Sequence, residues 1–205
     1  MIFDIQTIHQ AYPIKGVIHV GAFVGEELNH YRRLGLSNTM MFEPQNDLYE
    51  LINERCILNE KIHNVALGSE ACVKEMYVSF REGGLSQGCG ASSSLLKPKK
   101  HLEEHPEVTF PSKQTVEVRT LDEYYDPQYN FLSIDVQGYE LEVLKGGTKT
   151  LANIDAMILE INRDEVYEGC PLVGDLDSFL KDFDFKRVAQ IWQSKSWGDA
   201  LYARN

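Results

Sequence analysis

The chain has 205 residues, 43% hydrophobic and 25% charged, the balance expected of one soluble globular domain with its own core. Its formal charge of −11 argues against a nucleic-acid partner, which would need a basic face for phosphates. No apolar run reaches the roughly 18 residues of a membrane span, and the N-terminus MIFDIQTIHQ lacks the pattern of a secretory signal.

In chain order, strand-like and helix-like segments alternate. Residues 17–21 predict a short buried strand that breaks into Gly21-Ala22-Phe23-Val24-Gly25. Residues 26–34 predict a helix, with Leu28, Tyr31 and Leu34 at helical spacing. A second strand, 39–44, stops at Pro44, and Asn46 or Asp47 is placed to cap a helix that buries Leu48, Leu51 and Ile52. A third strand is expected at 61–68 and an exposed one at 73–80. Residues 81–114 hold four glycines, a serine triplet and three prolines without periodicity, which predicts an irregular lid or acceptor-binding loop. Lys97, Lys99, Lys100 and His101 cluster in it and read as a solvated basic patch.

Order returns with a strand and short helix over 115–125. The apolar strand at 130–138 ends in Asp135, and a helix over 139–147 has Gly146 near its stop. A buried strand at 155–162 carries Glu160, a helix follows at 174–183, and strands at 185–192 and 199–205 close the chain. This alternation predicts a single α/β domain over 1–205, Rossmann-like, with a mostly parallel sheet covered by helices on both faces. The last two strands lack an intervening helix, so one strand is expected to run antiparallel.

In such sheets ligands sit outside the carboxyl ends of the strands. Those ends carry the glycine turn, Glu43, Asn64, Ala66, Asp135, Gln137 and Glu160, a rim of acids and amides. The rim suits a neutral or cationic nucleoside better than a phosphate chain. Glu43 lies 22 residues after Gly21, where an acid takes both ribose hydroxyls. Phe23 stands where a dinucleotide loop needs its second glycine, which turns the reading from a nicotinamide oxidoreductase towards a donor with a methionine tail. His19 and His63 read as strand histidines with structural partners, and Trp192 and Trp197 as core or rim residues that could also stack on a sugar. Cys56, Cys72, Cys89 and Cys170 show no zinc spacing and fit reduced thiols in a cytoplasmic setting.

Several blocks together resemble the FkbM-type family of S-adenosylmethionine-dependent O-methyltransferases. His19-Val20-Gly21-Ala22-Phe23-Val24-Gly25 is similar to the family's first motif, D-V-G-A-N-x-G. "FEP" (42–44), "NVALG" (64–68), "GASSSLL" (90–96), "VRTLDEY" (118–124), "ILEI" (158–161) and "WGDALYAR" (197–204) fit in order. "SIDVQGYELEVLKGG" (133–147) is the most specific match, resembling K-I-D-V-E-G-x-E-x-x-V-L-x-G. The departures are His19 for an acid, Phe23 for Asn and Gln137 for Glu.

The resemblance implies a seven-stranded methyltransferase sheet with one antiparallel strand, and methyl transfer to a hydroxyl, often of a sugar. A 6-deoxyhexose such as rhamnose or fucose is the acceptor it suggests, on a glycan or a glycosylated metabolite. The site expected from the residues and the resemblance together takes S-adenosylmethionine on His19, Gly21, Ala22, Phe23, Gly25, Glu43, Asn64, Ala66 and Asp135. Asp135 and Glu160 are the candidate catalytic acids, or alternatively ligands of a divalent metal that lowers a hydroxyl pKa. Ser93, Ser94, Gln137, Tyr139 and Glu140 are the candidate acceptor contacts, Glu140 with helix capping as its alternative. A non-catalytic donor-binding module, or transfer to a non-sugar hydroxyl, are the rival readings. The oligomeric state stays open.

Overall fold

A computed structural model describes residues 3–83 and 90–204; residues 84–89 of the expected irregular loop, Cys89 among them, lie outside the described residues. Its strands are β1 (Val17–Val20), β2 (Thr39–Phe42), β3 (Glu60–His63), β4 (Ala66–Leu67), β5 (Cys72–Arg81), β6 (Val108–Arg119), β7 (Phe131–Ile134), β8 (Ala156–Asn162), β9 (Phe185–Trp192) and β10 (Trp197–Arg204). Its helices are α1 (Ile5–Ala11), α2 (Leu28–Arg33), α3 (Asn46–Asn53), α4 (His101–Glu104), α5 (Glu140–Lys145), α6 (Thr148–Leu151) and α7 (Val173–Lys181).

The main sheet has seven strands in the order β3-β2-β1-β7-β8-β10-β9. β10 runs antiparallel to both of its neighbours, and the pairings from β3 to β8 are all parallel. The expected architecture is therefore present. β1, β2, β7 and β8 are buried along their whole length, which explains why their sequences read as continuous apolar runs. Alternate β1 residues serve opposite faces. Ile18 and Val20 join Val143, Leu144 and Leu176 of α5 and α7 in one core, while Val17 joins Ile5, Ile8 and Tyr31 of α1 and α2 in another. Each fully buried Leu or Ile there contributes about 1.5–3 kcal/mol.

Four local expectations change. The single strand read at 61–68 is two, because Asn64 Nδ2 donates to the carbonyls of Glu43 (3.0 Å) and Pro44 (3.2 Å) and turns the chain between β3 and β4. β4 then leaves the main sheet and joins β5 and β6 in a second, three-stranded sheet of order β4-β6-β5. Within 81–114 the chain is more regular than its composition suggests: α4 lies there and β6 begins at Val108. The helix expected to start on Asn46 or Asp47 is preceded by Gln45 at its N-cap, with Asp47 in the first turn. α1 has no counterpart in the sequence reading, although Asp4 caps it by accepting from the backbone of Gln6 and Thr7.

The basic patch is not free. Lys97 pairs with Glu168 at 2.7 Å, Lys100 with Asp164 at 2.5 Å, and Lys99 with Glu165. Backbone bonds from Lys99 and His101 to Val166 reinforce this, so residues 97–101 are strapped to the segment after β8. Cys56, Cys72 and Cys170 are free thiols. No helix among the described residues is long and apolar enough to cross a membrane.

Candidate active site

The strand order reverses between β1 and β7, so a crevice opens outside their carboxyl ends. Gly21 sits on one wall with φ +81°, and a Cβ on it would lie 1.8 Å from the Asp135 carbonyl oxygen. Only glycine allows this contact between the two walls. Gly21 and Ala22 both donate to the Phe42 carbonyl, at 3.0 and 3.1 Å, which ties the turn to β2. Ala22 is buried against Leu28, Met41 and Ile52, and Gly25 closes the turn with φ +67° and a 2.7 Å bond to the Ala22 carbonyl. Phe23 holds φ 48°, a left-handed conformation that suits the family's Asn and strains a bulky residue.

Glu43 repays that strain. Its Oε2 accepts from the Phe23 backbone at 2.9 Å, and its Oε1 from the Gln45 backbone at 2.9 Å. The carboxyl is 3% exposed, and burial pushes its pKa up to about 7. Asn64 fixes the turn beyond it, and Ala66 joins Val65 and Leu67 along a narrow apolar slot, about 50 Å³, that runs from Phe42 to Tyr139. His19 is buried beneath the turn, and its Nδ1 lies 2.8 Å from the Tyr31 hydroxyl, which ties β1 to α2. His63 stacks on Phe42 and packs tilted against Tyr124, at 5.1 and 4.6 Å between ring centres.

Across the crevice Asp135 is exposed and borders a cavity of about 360 Å³ with Gln137, Glu160, Ser92, His101 and Trp197. The Gln137 amide donates to Asp135 Oδ1 and Glu160 Oε2, both at 2.7 Å, and its Oε1 accepts from the Tyr167 hydroxyl at 2.9 Å. Gln137 takes φ 56° and Gly138 φ 96° to make this turn. The amide thus does work that a third carboxylate could not, because it donates to both acids. Burial, and then the neighbouring Asp135 and Glu140, hold the Glu160 carboxyl well above the usual carboxylate range. Asp199 stands opposite Glu160 on β10, accepts from Gln193 at 2.6 Å, and is raised to about 6, first by burial and then by Asp135.

The other acceptor candidates act from behind the wall. Glu140 is fully buried, and its Oε1 accepts from the backbones of Val136 and Gly138, each at 3.1 Å. Through that oxygen it braces the Asp135 turn, while Oε2 is buried without a partner among the described residues. Ser94 donates to the Gln137 carbonyl at 2.7 Å, and Ser93 donates to the Gly90 carbonyl at 3.0 Å and accepts from the Ser79 backbone at 3.0 Å. Tyr139 borders the apolar slot, with Lys74 5.9 Å from its ring centre. Tyr167, Gln193, Asp199 and His101 were missed by sequence reasoning. For Asp199 the signal was present, since an antiparallel last strand places it beside Glu160. Among the described residues no group of three or more His, Cys, Asp and Glu side chains is placed to hold a metal ion.

The raised acids make stability pH-dependent. A carboxyl whose pKa is higher folded than unfolded stabilises fully below the unfolded value and loses that contribution as pH rises through the folded value. For Glu43, from 4.5 to about 7, the loss is on the order of 3 kcal/mol. Thermal unfolding is therefore expected to shift to lower temperature between pH 5 and 8. Glu160→Gln mimics the protonated acid and should flatten that slope. An unchanged slope in this variant would show that Glu160 does not titrate as described.

A family model described as the Methyltransferase FkbM domain matches residues 19–187. Over 105 residues the chain is 36% identical to the 2-O-methyltransferase NoeI of Sinorhizobium fredii (strain NBRC 101917 / NGR234), a match that covers 49% of this chain and 42% of NoeI. In structure the chain is similar to methyltransferase FkbM from Methylobacillus flagellatus KT, with a TM-score of 0.60 at 15% identity over 92% of this chain and 43% of that one. It is also similar to Streptococcus pneumoniae Sp1610, a candidate tRNA (m1A22) methyltransferase, in complex with S-adenosyl-L-methionine, with a TM-score of 0.50 at 15% identity over 100% of this chain and 74% of that one. The matched region is thus less than half the length of NoeI and of the M. flagellatus protein, and both structural likenesses are ones of fold.

Proposed function

This chain belongs to the FkbM methyltransferase domain family, and from that premise we propose that it transfers a methyl group from S-adenosylmethionine to a sugar hydroxyl. The observation that carries the reading is the pairing of two acids across the Gly21 contact. Glu43 is buried behind the glycine turn, and Asp135 opens on the cavity. NoeI is by its name a 2-O-methyltransferase, which supports oxygen as the acceptor atom. A 6-deoxyhexose such as rhamnose or fucose, within a glycan or a glycosylated metabolite, is the acceptor we favour. The free thiols support a reducing, cytoplasmic setting.

The residues fit the donor. Gly21 leaves bare backbone where a side chain cannot stand, Glu43 keeps lone pairs for ribose hydroxyls, and the slot along Val65, Ala66 and Leu67 suits a flat base. When bound, S-adenosylmethionine supplies a methyl group on a cationic sulfur, which an oxygen nucleophile displaces in line. The chain's task is then to hold the acceptor hydroxyl at that carbon and take its proton. Asp135 is the exposed carboxylate at that place, and its oxygen accepts the hydroxyl proton as the oxygen–carbon bond forms. Gln137 aims it by donating to Asp135 and Glu160 together, and burial beside Asp135 and Glu140 holds the Glu160 carboxyl well above the usual carboxylate range.

Calorimetry is expected to show micromolar binding of S-adenosylmethionine, and mass spectrometry of a glycan panel incubated with isotopically labelled donor should show one labelled methyl group per product. A folded sample that binds no donor would sink the reading. Phe23, strained at φ 48° where the family carries Asn, favours a second one, a module that binds the donor without turnover. Donor binding with no methylated product across the panel would support that alternative.

A further inference from the structure

The cavity beside Asp135 has a wall that the mechanism above leaves unused. His101, the first residue of α4, borders it and is 4% exposed. Its ring is held on three sides, at 5.0 Å from His105, 5.4 Å from Phe110 and 5.5 Å from Tyr167. The strap of Lys97, Lys99 and Lys100 onto residues 164–168 fixes the backbone before it. Nδ1 is fully buried without a hydrogen-bond partner among the described residues. A core imidazole with a purely structural role ordinarily bonds through its nitrogens, as His19 does to Tyr31. With Nδ1 dry, the tautomer that leaves a bare lone pair there and carries the proton on Nε2 avoids a buried, unmatched N–H. Burial, reinforced by His105, lowers the His101 pKa to about 4, so the ring is neutral at physiological pH.

The other groups at the cavity restrict what can bind. Arg81 lies 3.9 Å from Glu107, and His105 lies 3.7 Å from the same carboxylate. The Gln137 amide is committed to Asp135, Glu160 and Tyr167. Trp197 offers an aromatic surface, its ring centre 6.4 Å from that of His105. Among the described residues that border the cavity, Arg81 is set against Glu107, so an anionic acceptor would meet the Asp135 carboxylate without a cation of its own. A neutral ring with several hydroxyls finds a carboxylate acceptor, an imidazole donor and an aromatic face.

We infer that His101 is an acceptor-recognition residue, whose Nε2–H donates to a hydroxyl oxygen of an uncharged polyhydroxylated ring and so seats a neighbouring hydroxyl at Asp135. This rests on the methyltransferase reading, and it adds a contact that neither the family motif nor the carboxylate chemistry supplies.

The test uses the full chain, S-adenosylmethionine, and methyl α-L-fucopyranoside and methyl α-L-rhamnopyranoside as acceptor probes. His101→Phe keeps a flat ring without the donor and should raise the acceptor KM about tenfold, the worth of one hydrogen bond, with kcat within about threefold. His101→Gln places an amide nitrogen near the Nε2 position and should recover most of the loss. His101→Asn places it near Nδ1 and should not. An unchanged KM in His101→Phe, or equal recovery by Asn and Gln, overturns the inference. Nitrogen-15 NMR of the wild-type imidazole does not depend on any variant folding: a bound glycoside should move the His101 Nε2 resonance, and an unmoved resonance at saturation overturns the inference. A chain that binds the donor and neither glycoside also overturns it, while leaving the donor site standing. A chain that binds no donor overturns the methyltransferase reading instead, and the imidazole shift with glycoside alone still decides His101.

Discussion

Asp135→Asn is expected to lower kcat by about 10²–10⁴-fold while leaving the affinity for S-adenosylmethionine within about threefold. The argument begins with exposure. Asp135 is solvent-accessible at the end of a buried strand, so an isosteric amide neither buries a new polar group nor opens a void. Asn keeps an oxygen for the Gln137 amide, which now donates at 2.7 Å to Asp135 Oδ1, and the turn that carries it is braced independently by Glu140. The lost property is basicity at the atom that receives the proton. The variant also removes a negative charge that raises Glu160 and Asp199, so both acids should titrate lower. Radiometric turnover, donor calorimetry and a melting curve check the three parts together. A variant that retains more than a tenth of wild-type turnover would remove Asp135 from the chemistry.

Gly21→Ala is expected to cost about 4 kcal/mol or more of stability and to abolish measurable donor binding. The new methyl would stand 1.8 Å from the Asp135 carbonyl oxygen. That oxygen belongs to backbone, and the Asp135 N–H is bonded to the Val20 carbonyl at 3.0 Å, so neither wall can yield without breaking the β1–β7 ladder. Gly35→Ala is the control. Gly35 has a similar φ of +73° but nothing within 4 Å of its added Cβ, so only the left-handed strain of about 1 kcal/mol applies. Urea unfolding of the two variants separates conformational strain from collision. Equal losses would mean that the walls do not meet as described.

The sequence exposed the main sheet because its central strands are apolar on both sides, and a run such as Ala156-Met157-Ile158-Leu159 needs no tertiary context to be read. Glu43 and Asp135 were legible for a related reason: each is an acid that ends such a run. The division of 61–68 was hidden, since it depends on Asn64 bonding to carbonyls about twenty positions earlier. Composition misled at 81–114, where cross-strand pairing of β5 with β6 overrides poor local periodicity. Ser93 and Ser94 read as acceptor contacts from their place in the irregular loop, and Glu140 from its place in the family motif. Ser94 Oγ, Ser93 Oγ and Glu140 Oε1 each bond backbone groups, which a linear reading cannot see. Asp4, followed by apolar residues at positions 5 and 8, was a cap signal that went unread.

The contact between Gly21 and Asp135 has a mechanical consequence. The peptide oxygen that the turn rests on and the carboxylate that faces the cavity belong to one residue, joined by a few covalent bonds. Their separation is set by bond lengths, one backbone torsion and two side-chain torsions of that residue. The two halves of the crevice are therefore gauged against each other at rest, and no hinge is needed to bring them into register. Solvent viscosity, which slows large closing movements, should leave single-turnover methyl transfer in this protein almost untouched.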